Sequence, residues 1–273
     1  PTKTEQADLL QAMYGRNGES PAAIVAPATP ADCFDAAFEA CRIALQHMVP
    51  VFYLSDGYLG NGSEPWNFPK QDDLKNIEIS FEPPRNGEEP EPFQPYKRDN
   101  NFVRSWAIPG TAGIEHRVGG LEKQENTGDV SYDPENHQKM TDMRQAKVDK
   151  IADFIPEQTI DSGKDTGDVL VLGWGSTYGS IRTTVRELIH EGVDISHAHI
   201  KYLNPFPKNL GELISGFNTV IVPEINSGQL VRLIRDKFMV PAKGINKVKG
   251  RPFFVDELKD EIRNIIAGSE NEK

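Results

Sequence analysis

Apolar residues within residues 23–59 follow a pattern that predicts a strand, a helix and a second strand. Two short apolar runs, residues 23–27 and 51–54, flank a segment whose apolar positions recur at helical spacing. Thr29, followed by a proline and an acid, is typical of a helix start, and Pro50 ends the helical pattern. Because residues 51–54 are almost continuously apolar, we predict that this unit belongs to a buried parallel sheet.

The C-terminal part of the chain, from residue 168 onward, alternates regularly between strand and helix patterns. We predict strands at residues 168–173, 195–203 and 219–223, with helices at residues 181–190, 210–214, 229–238 and 257–267. Strands separated by helices in this way favour a parallel sheet with right-handed crossover connections. The sequence therefore predicts an α/β fold.

Residues 60–135 differ in character from both of these stretches. The segment 82–98 holds five prolines and four glutamates and is too polar to form a packed element by itself. We predict a linker or an arm laid over a neighbouring surface. Six aromatic residues here either anchor the arm to a partner or pack on their own domain: Trp66, Phe68, Phe93, Tyr96, Phe102 and Trp106. A helix at about residues 134–154 follows, and we expect it to connect two domains.

Composition and charge narrow the classes of function. The formal net charge of −11 over 273 residues disfavours nucleic acid as a partner, because an acidic chain repels phosphate backbones. No apolar run approaches the ~20 residues of a membrane helix, and no signal peptide opens the sequence. Two cysteines, Cys33 and Cys41, are too few for a disulfide framework, a zinc knuckle or a four-cysteine iron–sulfur site. We therefore expect a soluble cytoplasmic protein that binds no metal.

The glycine-rich segment 173–179 lies where a predicted strand meets a helix, which suggests a dinucleotide site. Two features disfavour that interpretation: Tyr178 stands where the fingerprint needs its third glycine, and no acid ends the next strand. The loop can still direct backbone N–H groups and the hydroxyls of Ser176 and Thr177 towards an anion.

Two histidine-containing segments are candidates for chemistry. His197 and His199 alternate along one strand, and packed or surface histidines are favoured over a metal pair because no third ligand is in register. Residues 115–117, Glu-His-Arg, precede two glycines and fit either an active-site or subunit-contact loop or an ordinary solvated loop.

Ser55 and Asp56 end a predicted strand and fit either a ligand site or a plain turn. No Gly-x-Ser-x-Gly elbow supports hydrolase chemistry.

Several separate blocks resemble the alpha subunit of 2-oxoacid:ferredoxin oxidoreductases, and the 2-oxoglutarate type most of all. The blocks lie at residues 1–10, 14–19, 54–59, 113–117, 119–121, 132–137, 173–179, 205–207, 222–226 and 228–230. The resemblance covers essentially the whole chain. It implies that the chain has four parts. Residues 1–60 would be the C-terminal part of a thiamine-diphosphate pyrimidine-binding domain, and residues 61–133 an arm. Residues 134–166 would form a connecting helix, and residues 167–273 a transketolase C-terminal-like domain.

The resemblance also implies an activity, cofactors and partners. The expected reaction converts 2-oxoglutarate and CoA to succinyl-CoA and CO₂ while ferredoxin is reduced; pyruvate or branched-chain 2-oxoacids are alternative substrates. Thiamine diphosphate with Mg²⁺ and an iron–sulfur cluster are expected mainly on a beta subunit, in an alpha–beta heterodimer or a dimer of heterodimers. A transketolase-type or 2-oxoacid dehydrogenase-type thiamine enzyme is a further alternative.

The family pattern begins before Pro1, so the chain is expected to be a fragment. In the family, the glutamate that activates the cofactor lies in the part of the pattern that precedes Pro1. We therefore expect this fragment to hold no cofactor, to carry no catalytic residue and to be inactive alone. A non-catalytic assembly module is the second interpretation.

The resemblance assigns candidate roles to individual residues. Thr2 matches a threonine that faces the 2-oxoacid carboxylate in related enzymes, or is a disordered terminus. His116 and Arg117 are candidates for substrate or beta-subunit contact, and Arg16 and Arg104 are further candidates for the distal carboxylate of 2-oxoglutarate. Subunit-interface roles are expected for Asp56, Gly57, Glu224, Asn226 and Gln229.

Overall fold

The computed structural model describes residues 3–87 and 91–270, and its main feature is a four-stranded parallel sheet. The strands are β3 (Gly167–Trp174), β4 (Ile195–Ile200), β6 (Phe217–Glu224) and β7 (Lys243–Asn246), in the order β4–β3–β6–β7. Helices α5 (Tyr178–His190), α6 (Leu210–Ser215), α7 (Leu230–Phe238) and α8 (Val255–Glu270) complete this part of the chain. The predicted parallel α/β sheet is confirmed. Strand β7 was not predicted because its sequence, Lys-Gly-Ile-Asn, has no apolar run, and Ile245 alone in it is buried.

A smaller, three-stranded sheet holds the N-terminal strand pair. Strand β1 (Ala23–Val25) pairs in parallel with β2 (Val51–Tyr53) and antiparallel with β5 (Tyr202–Asn204). The single strand predicted for residues 195–203 is therefore wrong, because the chain leaves the large sheet after β4 and enters the small one. The backbone N–H of Ala26 donates to the carbonyl of Lys201 (2.9 Å) at this crossing.

Three helices surround the small sheet. They are α1 (Leu9–Tyr14), α2 (Asp32–His47) and α4 (Pro134–Lys150), and a 3₁₀ turn, Ile151–Asp153, extends α4. Val148 and Ile151 pack with Ile43 of α2 against the strands, so the predicted connecting helix is part of this core. The carboxylate of Glu39, also on α2, bonds to Arg42 and accepts from the Tyr202 hydroxyl (3.0 Å).

The described residues of the arm contain one short 3₁₀ helix, Gln71–Asp73, after helix α3 (Gly57–Asn61). Isolated bridges join Phe81 to Trp106 and Tyr96 to Asn126. The Trp106 indole N–H donates to the carbonyl of Leu45 (2.9 Å), so this aromatic packs on its own chain, whereas Phe68 is 87% exposed.

One hydrophobic core joins the two sheets. It contains Leu9 and Ala12 of α1 and Ile24 of β1 together with Leu170 and Val222 of the large sheet. The predicted boundaries at residues 60, 133 and 166 stay predictions. Within the described residues, no helix is long and apolar enough to cross a membrane.

Candidate functional site at the carboxyl ends of the two sheets

The carboxyl ends of β2 and β3 meet at the N-terminal segment. Residues 54–56 follow β2, Trp174 ends β3 and Gly175 follows it. Residues 5–8 lie between them, around a cleft of about 20 Å³. In open α/β sheets, ligands bind at this edge of the strands. The two sheets thus present one shared edge.

Asp56 begins helix α3 at this edge. Its Oδ1 accepts from the backbone N–H groups of Tyr58 (2.9 Å) and Leu59 (3.2 Å), and Gly57 is the first helical residue. The alternative of a plain turn is therefore wrong, because Asp56 is an N-cap. An interface role for Asp56 and Gly57 stays a prediction.

Gln6 connects the N-terminal segment to the large sheet. Its side-chain amide donates to the carbonyl of Trp174 (2.7 Å) and accepts from the backbone N–H of Ile225 (3.1 Å). Its backbone N–H donates to the Ile225 carbonyl (3.3 Å). Gly175 has φ +57°, and a Cβ there would lie 2.8 Å from the Gln6 amide nitrogen. A glycine is therefore required where Gln6 crosses the end of β3.

Glu224 ends β6 and is fully buried. Its Oε1 accepts from the Trp174 indole (3.2 Å), the Asn226 amide (3.0 Å) and the Leu230 backbone (2.7 Å). Its Oε2 accepts from the backbone N–H of Val231 (3.0 Å). The carboxylate thus satisfies the first amides of α7, where the helix dipole also favours a negative charge.

Asn226 and Gln229 extend this network to the N-terminal segment. The Asn226 amide donates to the carbonyl of Gln6 (3.0 Å), and the Gln229 amide donates to the carbonyl of Ala7 (2.7 Å). Gln229 Oε1 accepts from the backbone N–H of Leu10 (2.9 Å) at the start of α1. These bonds lie within the chain, so interface roles for Glu224, Asn226 and Gln229 stay predictions.

The remaining predicted residues are not part of this edge. His116 lies on the arm, with its ring 5.5 Å from that of Phe93 and its Nδ1 2.9 Å from the Ile114 carbonyl. Arg117 beside it is exposed. Arg16 donates to the backbone carbonyls of Met13 and Ser20, and Thr2 lies outside the described residues. The structure therefore brings together the predicted interface residues but not the predicted substrate contacts.

The two strand histidines form a separate cluster. Asp161 accepts from the Tyr178 hydroxyl (2.7 Å) and lies 3.4 Å from Nδ1 of His197, whose ring is 5.7 Å from that of His199. The close His197 ring, helped by Tyr178, holds the pKa of Asp161 well below its usual range, and burial lowers the pKa of His199. Among the described residues, no three His, Cys, Asp or Glu side chains are placed to hold a metal ion.

Gln6 and Trp174 were missed by sequence reasoning. They act through contacts that join residues more than 160 positions apart, for which no local pattern exists. The sequence signal that was available is Gly175, which lies in the glycine-rich segment 173–179 and where Gln6 approaches the backbone closely.

Two family models match the chain. Residues 1–134 match "Pyruvate flavodoxin/ferredoxin oxidoreductase, thiamine diP-bdg", and residues 167–258 match "Pyruvate:ferredoxin oxidoreductase core domain II".

Individual proteins agree with these models. The chain is 49% identical, over 98% of its length, to 2-oxoglutarate oxidoreductase subunit KorA of Mycobacterium tuberculosis, of which it covers 40%. It is 29% identical to 2-oxoacid:ferredoxin oxidoreductase subunit alpha of Saccharolobus solfataricus, over 99% of this chain and 43% of that one.

A solved structure, 2-oxoglutarate:ferredoxin oxidoreductase from Magnetococcus marinus with 2-oxoglutarate, coenzyme A and succinyl-CoA bound, superposes with a TM-score of 0.86. The identity is 28%, over 97% of this chain and 46% of that one. The chain thus spans less than half the length of these three proteins.

Proposed function

This chain belongs to the 2-oxoacid:ferredoxin oxidoreductase family, and from this premise we propose that it forms part of an alpha subunit acting on 2-oxoglutarate. The proposed reaction converts 2-oxoglutarate and CoA to succinyl-CoA and CO₂ and passes the electrons to ferredoxin. The observation that carries the substrate is the 49% identity, over 98% of this chain, to a relative named for 2-oxoglutarate. The ligands named for the Magnetococcus marinus structure support the same substrate and CoA. The enzyme would work in the cytoplasm.

The cleft at the sheet edge does not fit the family's cofactors. An iron–sulfur cluster held by four thiolates needs more than the two cysteines present in the sequence. The cleft at the carboxyl ends holds about 20 Å³, far less than a cofactor occupies, and no group of acids is placed for Mg²⁺ among the described residues. We therefore place both cofactor sites mainly on a partner beta subunit.

The chain's own contribution would be to hold a partner-facing edge in a fixed shape. The bonds from Gln6 and Glu224 fix the ends of β3 and β6, beside residues 54–56. This rigidity supports Asp56 and Gly57 as contacts with the beta subunit. Thr2, His116 and Arg117 would meet the substrate, and the exposed guanidinium of Arg117 suits the distal carboxylate of 2-oxoglutarate.

Activity of the full-length parent, co-purified anaerobically with its beta subunit, tests the reaction. Viologen reduction is followed with CoA, thiamine diphosphate and, in turn, 2-oxoglutarate, pyruvate and 2-oxoisovalerate. We expect CoA-dependent reduction that is fastest with 2-oxoglutarate. Faster reduction with another 2-oxoacid would overturn the substrate, and no reduction by a cluster-loaded complex would overturn the function.

The role of Arg117 is tested in the same complex. Arg117→Gln should raise KM for 2-oxoglutarate roughly tenfold and leave KM for CoA unchanged, because a charge-assisted contact to one carboxylate is lost. Arg186→Gln removes an exposed arginine from α5 and serves as the matched control. Equal KM values in the two variants would contradict the assignment.

A further inference from the structure

Positive charge is concentrated in one short segment at the end of the large sheet. Residues 243–254, which contain β7 and the loop that leads to α8, hold four basic residues and no acidic one, although the whole chain has a net charge of −11. The basic residues are Lys243, Lys247, Lys249 and Arg251. Three of them lie in residues 247–254, which we call the basic loop.

Lys247 fixes the shape of the basic loop. Its side chain is buried, and its Nζ donates to the carbonyl of Pro252 (2.9 Å) and to the carboxylate of Glu257 on α8. Its backbone N–H donates to the carbonyl of Glu224 at the end of β6 (3.0 Å). Because the loop is bonded to both neighbouring elements, its exposed side chains are held in place before any partner arrives.

The exposed side chains of the basic loop combine charge with apolar surface. Lys249 and Arg251 are exposed, and neither forms a salt bridge with any residue that the structure describes. Val248 is 54% and Phe254 59% exposed. The Arg251 guanidinium lies 4.9 Å from the centre of the Phe254 ring. Arginine and aromatic residues are enriched at protein–protein interfaces, so this composition favours a protein partner over a small anion.

The acids at the start of α8 do not neutralise the loop. Glu257 already bonds to Lys247. Asp256 is exposed in the first turn of α8, where the helix dipole favours a negative charge. Lys249 and Arg251 therefore remain available to acidic groups of another molecule.

The basic loop is continuous with the sheet edge that we propose as a partner contact. Glu224, to which the loop is bonded, belongs to the network that holds Gln6. On the other side, a Cβ at Gly250 would lie 2.9 Å from the Cβ of Lys3, so the N-terminal segment packs against the loop. Lys3 is exposed and adds a further cation. A partner that covers the sheet edge would therefore also reach the loop.

We propose that the basic loop is a docking surface for an acidic patch of the beta subunit. Lys249 and Arg251 meet carboxylates of that subunit, and Val248 and Phe254 pack in the contact between them. The proposal rests on the proposed function, which supplies the beta subunit. Opposite charges steer two proteins together and fix their register, and this effect is valuable for a chain whose net charge of −11 repels other acidic proteins.

Association of the full-length parent with its separately purified beta subunit tests the proposal. Anaerobic biolayer interferometry measures the dissociation constant at about 50 mM and about 500 mM salt. At the lower salt, Lys249→Glu and Arg251→Glu should each weaken association ~10-fold or more and reduce its salt dependence. Arg251→Gln should weaken it less than Arg251→Glu, because it removes the attraction without adding repulsion.

Two further variants separate charge from apolar contact. Phe254→Ala should weaken association ~5-fold or more at both salt concentrations, because an apolar contact is not screened by salt. Arg186→Glu makes the same change of charge at an exposed position on α5 and should change association less than ~2-fold. Circular dichroism melts confirm that each variant is folded.

The outcomes distinguish this surface from the proposed function. Equal association by the parent and the charge-reversed variants, in complexes that still reduce viologen with 2-oxoglutarate, would overturn the docking surface and leave the function intact. Weaker self-association of the parent, with unchanged binding of the beta subunit, would assign the loop to a second copy of the chain and overturn the proposal. A change confined to KM for CoA would assign it to a small anion and overturn it as well. A parent that neither binds the beta subunit nor reduces viologen with it would overturn both.

Discussion

The hydrogen bonds of the buried Glu224 carboxylate give the most direct test of what stabilises the end of β6 and the start of α7. Glu224→Gln keeps the shape of the side chain but replaces one acceptor oxygen by an NH₂ donor. In its best orientation the remaining oxygen faces the three donors on Oε1, so the new NH₂ group points at the backbone N–H of Val231. One buried donor loses its partner, and the charged hydrogen bonds become neutral.

The expected loss of stability follows from these contacts. An unpaired buried donor costs about 1–3 kcal/mol, so Glu224→Gln should lower the free energy of unfolding by that amount. Glu224→Ala leaves all four donors without this acceptor and opens a cavity, so about 3–5 kcal/mol should be lost. Glu212→Gln, at an exposed position on α6, is the matched control and should stay within about 0.5 kcal/mol of the parent.

Urea unfolding followed by far-ultraviolet circular dichroism measures these differences. We expect the midpoint to fall in the order parent, Gln, Ala, with an unchanged slope, because the unfolded surface is the same. A free energy of unfolding for Glu224→Gln within about 0.5 kcal/mol of the parent would refute the reasoning. The carboxylate would then not be the acceptor that organises the start of α7.

Three further perturbations test other parts of the structure. Gly175→Ala, which forces a Cβ against the N-terminal segment at positive φ, should cost about 1–2 kcal/mol, whereas Gly179→Ala, in open space on α5, should be neutral or stabilising in the same urea assay. Gln229→Ala removes two bonds to the N-terminal segment, and amide exchange in the first turn of α1 should become faster, with no change in α8. Burial lowers the pKa of His47 to about 4, so the unfolded chain binds more protons between pH 4 and 6.5 and stability should fall as pH falls through that window. Because one pKa unit corresponds to about 1.4 kcal/mol, this amounts to at most about 3 kcal/mol, and His47→Phe should reduce the pH dependence by that amount.

Local pattern was sufficient to predict strands β3 and β6 of the large sheet and its helices, but not β7. The runs at β3 and β6 are continuously apolar and the helices between them keep a 3.6-residue period, so both could be predicted. The break between β4 and β5 could not, because the residues on both sides of Lys201 are apolar and only their partners differ. Helix α3 has five residues and depends on its Asp56 cap, which a turn would also contain.

Sequence reasoning found the interface candidates at the sheet edge but not what holds them there. Glu224 and Asn226 were singled out as polar residues after a strand, and the structure bonds both within the chain. Gln6 bonds to Ile225 and Asn226 from 219 and 220 positions away, and such contacts leave no local pattern. The sequence offered Arg104 as a candidate for the distal carboxylate, but the grouping of Arg104 with Arg98 around Tyr96 was missed for a related reason. Arg98 and Lys147 come together only because the arm folds back over α4.

The packing of the two sheets bears on how the two family segments act. The segment that matches at residues 1–134 contributes Leu9 and Ile24 to the same core as β3 and β6 of the segment at 167–258. The second segment returns β5 to the sheet of the first. Because both segments share a core and a sheet, the end of β6 is connected through Trp174 and Gln6 to the cleft that residues 54–56 also line. The sheet edge that we propose as a partner contact is therefore a product of both segments, and neither segment alone should present it in the same shape.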